Sequence, residues 1–395
     1  MKILINDHAG HSFSLSLSKC LADMGHQVMH CYCTSFESPK ADFSNISSNI
    51  TIIAISNKHK FSKYSIFKRI LQEFEYVNKL SKFILDFQPD ILLSGNTPLF
   101  IQYGLVKISK KNKIPFIYWC QDIYSIAIKK ILYSKLWYLG NIIAYFFEVL
   151  ESKILKSSAH IISISDDFIL YINKRGVSSN KISIIENWAN LNEIRLEPKN
   201  NIWAKKHNLD SFFCIVYSGT LGLKHDPNIL LQIALHLKSQ KKIKIVVVSE
   251  GIGASYLMEQ KLNNKLDNLI ILPYQNFHDF SYVLGVSDIL VAVLENEAGL
   301  FSVPSKVLSY LCSQKPIILS APLENLSSKI VINSGAGFCV PPGDKDALFN
   351  KIDILLKNAK LRADMGLKGR IYAEEKFQIN SIATKFLQIF HMVTS

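Results

Sequence analysis

Short apolar runs alternate with longer amphipathic stretches through almost the whole chain, and that alternation restricts the fold more than any other feature. Residues 2–6 form one such run, followed by a polar loop over 7–12 that contains Gly10. A helix is expected from there to about Met24. Gly25 stops it, since glycine is favoured just past a helix end. Runs at 28–33 and 51–55 read as further strands. Over 67–87 the apolar residues fall at 67, 70, 71, 74, 77, 80, 84 and 87, the stripe of an amphipathic helix. Strands are expected again at 91–94, 116–119 and 160–164, and residues 167–174 read as a helix ending near Gly176. Strands alternating with helices imply a parallel, doubly wound α/β sheet. Such sheets bind ligands beyond the carboxyl ends of their strands. Those ends are polar here, with Asp7, His8, Gly10 and His11, then Ser94, Gly95 and Asn96. Gln121 and Asp122 end a third strand, and Ser163, Ser165 and Asp166 a fourth.

After a polar linker over 192–201 the alternation restarts. A strand at 212–217 ends in SGTLGLKHDP, residues 218–227. Gly219 and Gly222 permit close backbone approach to a ligand, and Lys224 and His225 add positive or polar groups. A glycine-bearing turn between strand and helix suits a phosphate, although this one is not a strict GxGxxG. The next strands, 243–248 and 269–272, lead to Ser249, Glu250 and Gly251, and to Pro273, Tyr274 and Gln275. An apolar run ending at Leu294 leads into ENEAGLFSVPSKVLSYLCSQKP, residues 295–316. Pro304, Ser305 and Lys306 read as the start of a helix that buries Val307, Leu308, Leu311 and Cys312. Proline is tolerated there and serine is a preferred cap. Unpaired N–H groups and the positive dipole end make such a start an anion site. Lys306 adds a full charge, and a diphosphate is the natural guest. Strands at 317–320 and 336–340, a tight turn at 341–344 and helices from Lys345 onward complete the chain.

With 395 residues, 48% of them hydrophobic, the chain is long enough for two buried cores. Its net charge of +13 points to nucleic acid, anionic lipid or phosphorylated small molecules. The absence of an arginine-rich tail or a metal-type Cys/His cluster argues against nucleic acid. Seven scattered cysteines, Cys31 and Cys33 among them, are expected as free thiols in a reducing cytosol. No run is long and apolar enough to span a bilayer. The nearest, 137–150, carries Asn141 and Glu148 and reads as a core helix, with a membrane-surface helix as the alternative. Lysines crowd the first half, at 58, 60, 63, 68, 107, 110, 111, 113, 129, 130 and 135, beside Phe61, Tyr64, Tyr133 and Trp137. That mixture suits peripheral docking to an anionic membrane surface.

Four segments together resemble the family 4 retaining glycosyltransferases of bacterial surface-polysaccharide synthesis, which have the GT-B fold. They are DHAGHSFSLSLSKCLADMGHQV, HIISISDDFILYINKRGV with IIENW, YSGTLGLKHDP, and VPSKVLSYLCSQKPII. The resemblance covers nearly the whole chain. It implies two Rossmann-like domains facing a central cleft, an acceptor-binding one over 1–192 and a nucleotide-sugar-binding one over 193–375. A terminal helix at about 376–395 would pack back on the first. Gly219, Thr220 and Lys224 would neighbour the donor diphosphate, with Ser305 and Lys306 on its other side. Glu250, Gly251, Tyr274 and Gln275 would lie near nucleoside and base. Glu297 stands where the family often sets a carboxylate against donor-sugar hydroxyls. Gly10 would face the donor phosphates, and Asp122 lies where a catalytic-region His or acid is common.

Two departures qualify this. Ser309 stands where many relatives have the later Glu of a pair that binds ribose, and a serine bonds a hydroxyl without charge assistance. Gln121 occupies the place of the common His. The implied chemistry is transfer from a UDP- or GDP-sugar with retention, no metal or other cofactor, and charge on the leaving diphosphate held by positive groups. The acceptor would be a polyprenyl-diphosphate-linked or other saccharide of capsule, O-antigen or exopolysaccharide, at the cytoplasmic face of the membrane. A UDP-sugar epimerase of the same fold, or a non-catalytic nucleotide-binding partner, are the alternatives.

Overall fold

The computed structural model describes residues 1–35, 43, 47–58, 66–133, 137–222, 225–300 and 302–395. The chain divides into two compact units, one formed by Met1–Asn187 with Gln378–Ser395, the other by Trp188–Phe377.

The first unit holds a seven-stranded sheet of β1 (Lys2–Asp7), β2 (Gln27–Cys33), β3 (Ile50–Ile55), β4 (Ile91–Gly95), β5 (Phe116–Cys120), β6 (His160–Ser163) and β7 (Ile182–Ile184). Its order is β3-β2-β1-β4-β5-β6-β7, with every neighbouring pair parallel. Strand order reverses between β1 and β4, which opens the ligand crevice of this architecture at their carboxyl ends. Ile3, Leu4 and Ile5 are fully buried, because a parallel sheet is covered on both faces and needs continuous apolar runs. Three residues pair with β6 to form the edge at β7, a strand that the sequence did not announce. The long helix Ile66–Phe87 buries Tyr76, Leu80 and Ile84, one side of its stripe.

The terminal helix Ile379–Thr394 belongs to this first unit. Ile382, Phe386, Ile389 and Phe390 are buried along one face. Phe386 packs edge-on against Trp119 at 5.1 Å, and the Cys20 thiol donates to Asn380 Oδ1 at 3.2 Å.

The second unit holds six parallel strands, β8 (Phe213–Ser218), β9 (Ile243–Val248), β10 (Leu269–Leu272), β11 (Ile289–Val293), β12 (Ile317–Ser320) and β13 (Gly337–Val340), in the order β10-β9-β8-β11-β12-β13. The reversal falls between β8 and β11. All five residues of β11 are buried, as the centre of the sheet requires. Helix Asn228–His236 packs Leu230, Ile233 and Ala234 into the same core as Ile215, Tyr217 and Val247. The result is an α/β architecture of two Rossmann-like units.

One expectation about an element is corrected. Helix Trp137–Ser157 buries Ala144 and Leu150, but Ile142, Tyr145, Phe146 and Val149 on it are exposed. It is a surface helix with a large apolar outer face. Composition alone could not separate the two, since apolar residues lie on both sides.

Candidate functional site

At the switch point of the second sheet, β8 runs out into Ser218, Gly219 and Thr220, and the helix Lys306–Cys312 approaches the same strand end. Tyr310 joins the two. Its hydroxyl accepts from the Ser218 N–H at 2.9 Å and donates to the Ser218 carbonyl at 3.1 Å. One turn earlier on the same helix face, Lys306 reaches back over the strand end. Its ammonium hydrogen-bonds the Tyr217 hydroxyl, lies 4.1 Å from the centroid of that ring, and contacts the Thr220 carbonyl at 3.4 Å. Among the described residues no carboxylate pairs with it. Desolvation against these neutral partners lowers the Lys306 pKa to about 7.

Gly219 is required here. Its φ is +132°, and a Cβ would stand 3.2 Å from Lys306 Cε. Thr220 is fixed from two sides, its carbonyl accepting from Tyr217 Oη at 2.7 Å and its hydroxyl from Tyr274 Oη at 3.0 Å. Tyr274 in turn donates its backbone N–H to Glu250 Oε1 at 3.1 Å, and Gln275 Oε1 accepts from Trp203 Nε1 at 2.9 Å. Gly251, at φ +94°, opens the helix Ile252–Asn263 directly beyond β9. The loops after β8, β9 and β10 and the helix after β11 are thereby knit into one polar rim. Lys306, a cation with no counter-ion among the described residues, stands at its centre. Such a rim can receive an anion with neighbouring hydroxyl and amide groups.

Glu297 is exposed, on a short 3-10 turn over Asn296–Leu300. Asn325, itself buried, holds that loop: its amide donates to the Gly299 and Ser302 carbonyls, both at 3.0 Å, while its Oδ1 caps the helix Leu326–Ser334 through Ser327 N–H. Ser309 is half-buried on the helix of Lys306. Ser305 departs from expectation. It is exposed, has helical φ and ψ, and its hydroxyl makes no cap hydrogen bond. The helix starts too tightly for that, with Val307 N–H bonded to the Pro304 carbonyl at 3.3 Å. Lys224 lies outside the described residues.

In the first unit, Gly10 and Asp122 sit beyond the carboxyl ends of β1 and β5. Gly10 has φ +75° and donates to the Asp7 carbonyl at 3.0 Å. The buried Asp7 carboxylate accepts from Ala9 N–H at 3.2 Å and His11 N–H at 2.7 Å. Burial works against its ionisation, but the charge and hydrogen bond of His11, aided by His30, hold its pKa below the ordinary value. Asn6, on β1 opposite Ser94 of β4, bonds Ser94, Thr97 and Tyr76 within 3.0 Å. The loop after Asp122 is pinned by buried Glu151, which accepts from Tyr124 N–H at 2.9 Å and Ser125 Oγ at 2.6 Å. Gln121 accepts a hydrogen bond from the Asn187 amide. Tyr217, Tyr310, Glu151 and Asn325 were not singled out in the sequence. Only Tyr310 left a usable trace there, four residues after Lys306 on one helix face.

Two family models match the chain, the family 4 glycosyltransferases over residues 12–193 and the group 1 glycosyl transferases over 199–371. The chain is a family 4 glycosyltransferase. The probable glycosyltransferase WbjE of Pseudomonas aeruginosa is 21% identical over 354 residues, 87% of this chain and 84% of the relative. Among solved structures, a glycosyltransferase from Rickettsia africae superposes with a TM-score of 0.68 at 18% identity, over 99% of this chain and 98% of that one. HepE of Anabaena, in complex with UDP-glucose, gives 0.71 at 14%, over 99% and 100%. These likenesses show the GT-B fold. In this glycosyltransferase the rim around Lys306 lies within the stretch matched by the group 1 model.

Proposed function

We propose that the second unit binds a nucleoside-diphosphate sugar, with UDP as the first base to test, and that the enzyme transfers the sugar with retention to a saccharide acceptor. The observation that carries this reading is Lys306, a desolvated cation held by Tyr217 and Thr220 beside a glycine whose backbone a phosphate can approach. Gly219, Thr220, Lys306, Ser305 and Lys224 take the diphosphate, and Glu250, Gly251, Tyr274, Gln275 and Ser309 the nucleoside. Glu297 meets the donor sugar, Gly10 faces the donor phosphates, and Asp122 serves the reacting centre. Lys306 stabilises the charge that builds on the leaving diphosphate as the sugar–oxygen bond breaks. The acceptor is a lipid-linked saccharide of surface-polysaccharide synthesis at an anionic membrane. HepE, of the same fold, was solved with UDP-glucose, which supports the choice of base.

Titration calorimetry with UDP-glucose tests the donor site. A charge-assisted contact contributes about 1.5–3 kcal/mol, so Lys306→Ala should weaken binding roughly ten- to hundredfold at neutral pH while its melting temperature stays near that of the parent. Equal affinity in the two proteins would remove Lys306 from the site. The anomeric configuration of the transferred sugar, read by NMR, decides retention.

A further inference from the structure

On the first unit, three neighbouring helices build an apolar surface that the core leaves uncovered. Phe100, at the start of helix Leu99–Lys111, contacts Phe74 of helix Ile66–Phe87 at 5.9 Å between ring centroids, and Phe146 of helix Trp137–Ser157 at 6.1 Å. Gly104 lets the first two helices close on each other, since a Cβ there would stand 2.7 Å from Val77. Beside this aromatic row Leu71 is 70% exposed, Ile142 68%, Phe74 50% and Phe146 52%. Large side chains this exposed, on adjacent helices, exceed the scattered apolar residues of an ordinary surface.

Its rim is positive. Lys107 and Lys153 both hold their ammonium groups over Tyr103, at 4.6 and 5.4 Å from the ring centroid. At the other end Lys68 is exposed one turn before Leu71. Acidic residues of these helices do not offset them: Glu73, Glu75 and Glu148 are paired with Arg69, Lys79 and Arg175, Glu151 is buried, and Asp86 lies at the far helix end. No helix among the described residues is long and apolar enough to cross a membrane. Phe100 also stands just beyond β4, three residues from Thr97, whose hydroxyl accepts from Asn6 at the carboxyl end of the first sheet.

We propose that this surface is where the enzyme docks on an anionic bilayer, its aromatic row set among the headgroups and acyl chains, with Lys68, Lys107 and Lys153 against the lipid phosphates. The proposal deepens the reading of a lipid-linked acceptor and rests on it. Docking there brings the carboxyl end of the first sheet to the membrane, where a lipid-borne saccharide would present itself. A second copy fits the surface less well, since it would set lysine rim against lysine rim in a chain of net charge +13.

Flotation with vesicles of phosphatidylcholine, with and without phosphatidylglycerol, tests it. The unaltered enzyme should float with the anionic vesicles at low salt, be released as salt rises, and stay behind with phosphatidylcholine alone. Phe74→Ser with Phe146→Ser, and separately Lys107→Glu with Lys153→Glu, should each weaken anionic binding about tenfold or more. Both should keep UDP-glucose affinity, melting temperature and circular dichroism. Failure of the unaltered enzyme to float would overturn the proposal, as would undiminished flotation of the phenylalanine variant. So would sedimentation showing a dimer that the same variant dissociates. Loss of UDP-glucose binding in the unaltered enzyme would instead strike the donor-site reading, leaving the vesicle result to judge the surface by itself.

Discussion

Among the described residues the Lys306 ammonium has only neutral partners, so its proton is held loosely until an anion arrives. With a pKa near 7 in the ligand-free enzyme, it is charged at pH 6 and mostly neutral at pH 8.5. A bound diphosphate favours the charged form and raises that pKa. Donor affinity should therefore be flat below pH 7 and weaken by up to about tenfold per unit above it. UDP-glucose does not itself titrate in this range. At pH 8 its binding heat should depend on the ionisation enthalpy of the buffer, reporting uptake of close to one proton. Lys306→Met should abolish that dependence; a dependence surviving in the variant would assign the proton elsewhere. At this scale the sequence was informative where chemistry and backbone coincide, as at Gly219 and Lys306 in their loops. It was silent on Tyr217, and of Tyr310 it showed only a place on the helix face of Lys306. A tyrosine in an apolar run reads as core, and nothing in the spacing says that its hydroxyl will close on Lys306 or on the Ser218 backbone.

At the scale of elements, most strands and helices could be read from their runs, because parallel strands buried on both faces are continuous and apolar. What escaped were the short and the ambiguous. Strand β7 has three residues and none is fully buried, so it left little trace. Helix Trp137–Ser157 presents apolar residues outward as well as inward, and only its neighbours decide which side is core. The start at Ser305 followed the sequence rule for a cap, yet the tight turn from Pro304 took the serine out of cap geometry. Asn325 shows the opposite case, a cap that also carries a loop. Asn325→Ala removes the helix cap and the amide bonds to Gly299 and Ser302 together. It should lower stability by about 1–3 kcal/mol, seen as a reduced urea midpoint at unchanged slope. A midpoint equal to that of the parent would mean that the loop bearing Glu297 is held by other contacts.

For the whole molecule, the two units have separate cores, and each should report its own melting. The first is closed by a helix that follows the second in sequence. Burying Ile382, Phe386, Ile389 and Phe390 contributes roughly 6–12 kcal/mol, comparable to the entire stability of a typical domain. Removing residues 378–395 should therefore abolish the calorimetric transition of the first unit and preserve that of the second, which UDP-glucose should still raise. Two transitions in the shortened chain would show the first core to be complete without Phe386. The two-unit plan and its fold were legible because the alternation of strand and helix stops at a polar linker and restarts.

The same arrangement sets a timetable for synthesis. A ribosome delivers the first 187 residues, then the roughly 190 residues of the second unit, and only afterwards the helix that seals the first. At elongation rates of about 5–20 residues per second the wait is roughly ten to forty seconds. Throughout it, Trp119 and the groove for Phe386 stand open on the nascent chain. The half of the enzyme made first is thus the half finished last, and it is the natural client for a chaperone.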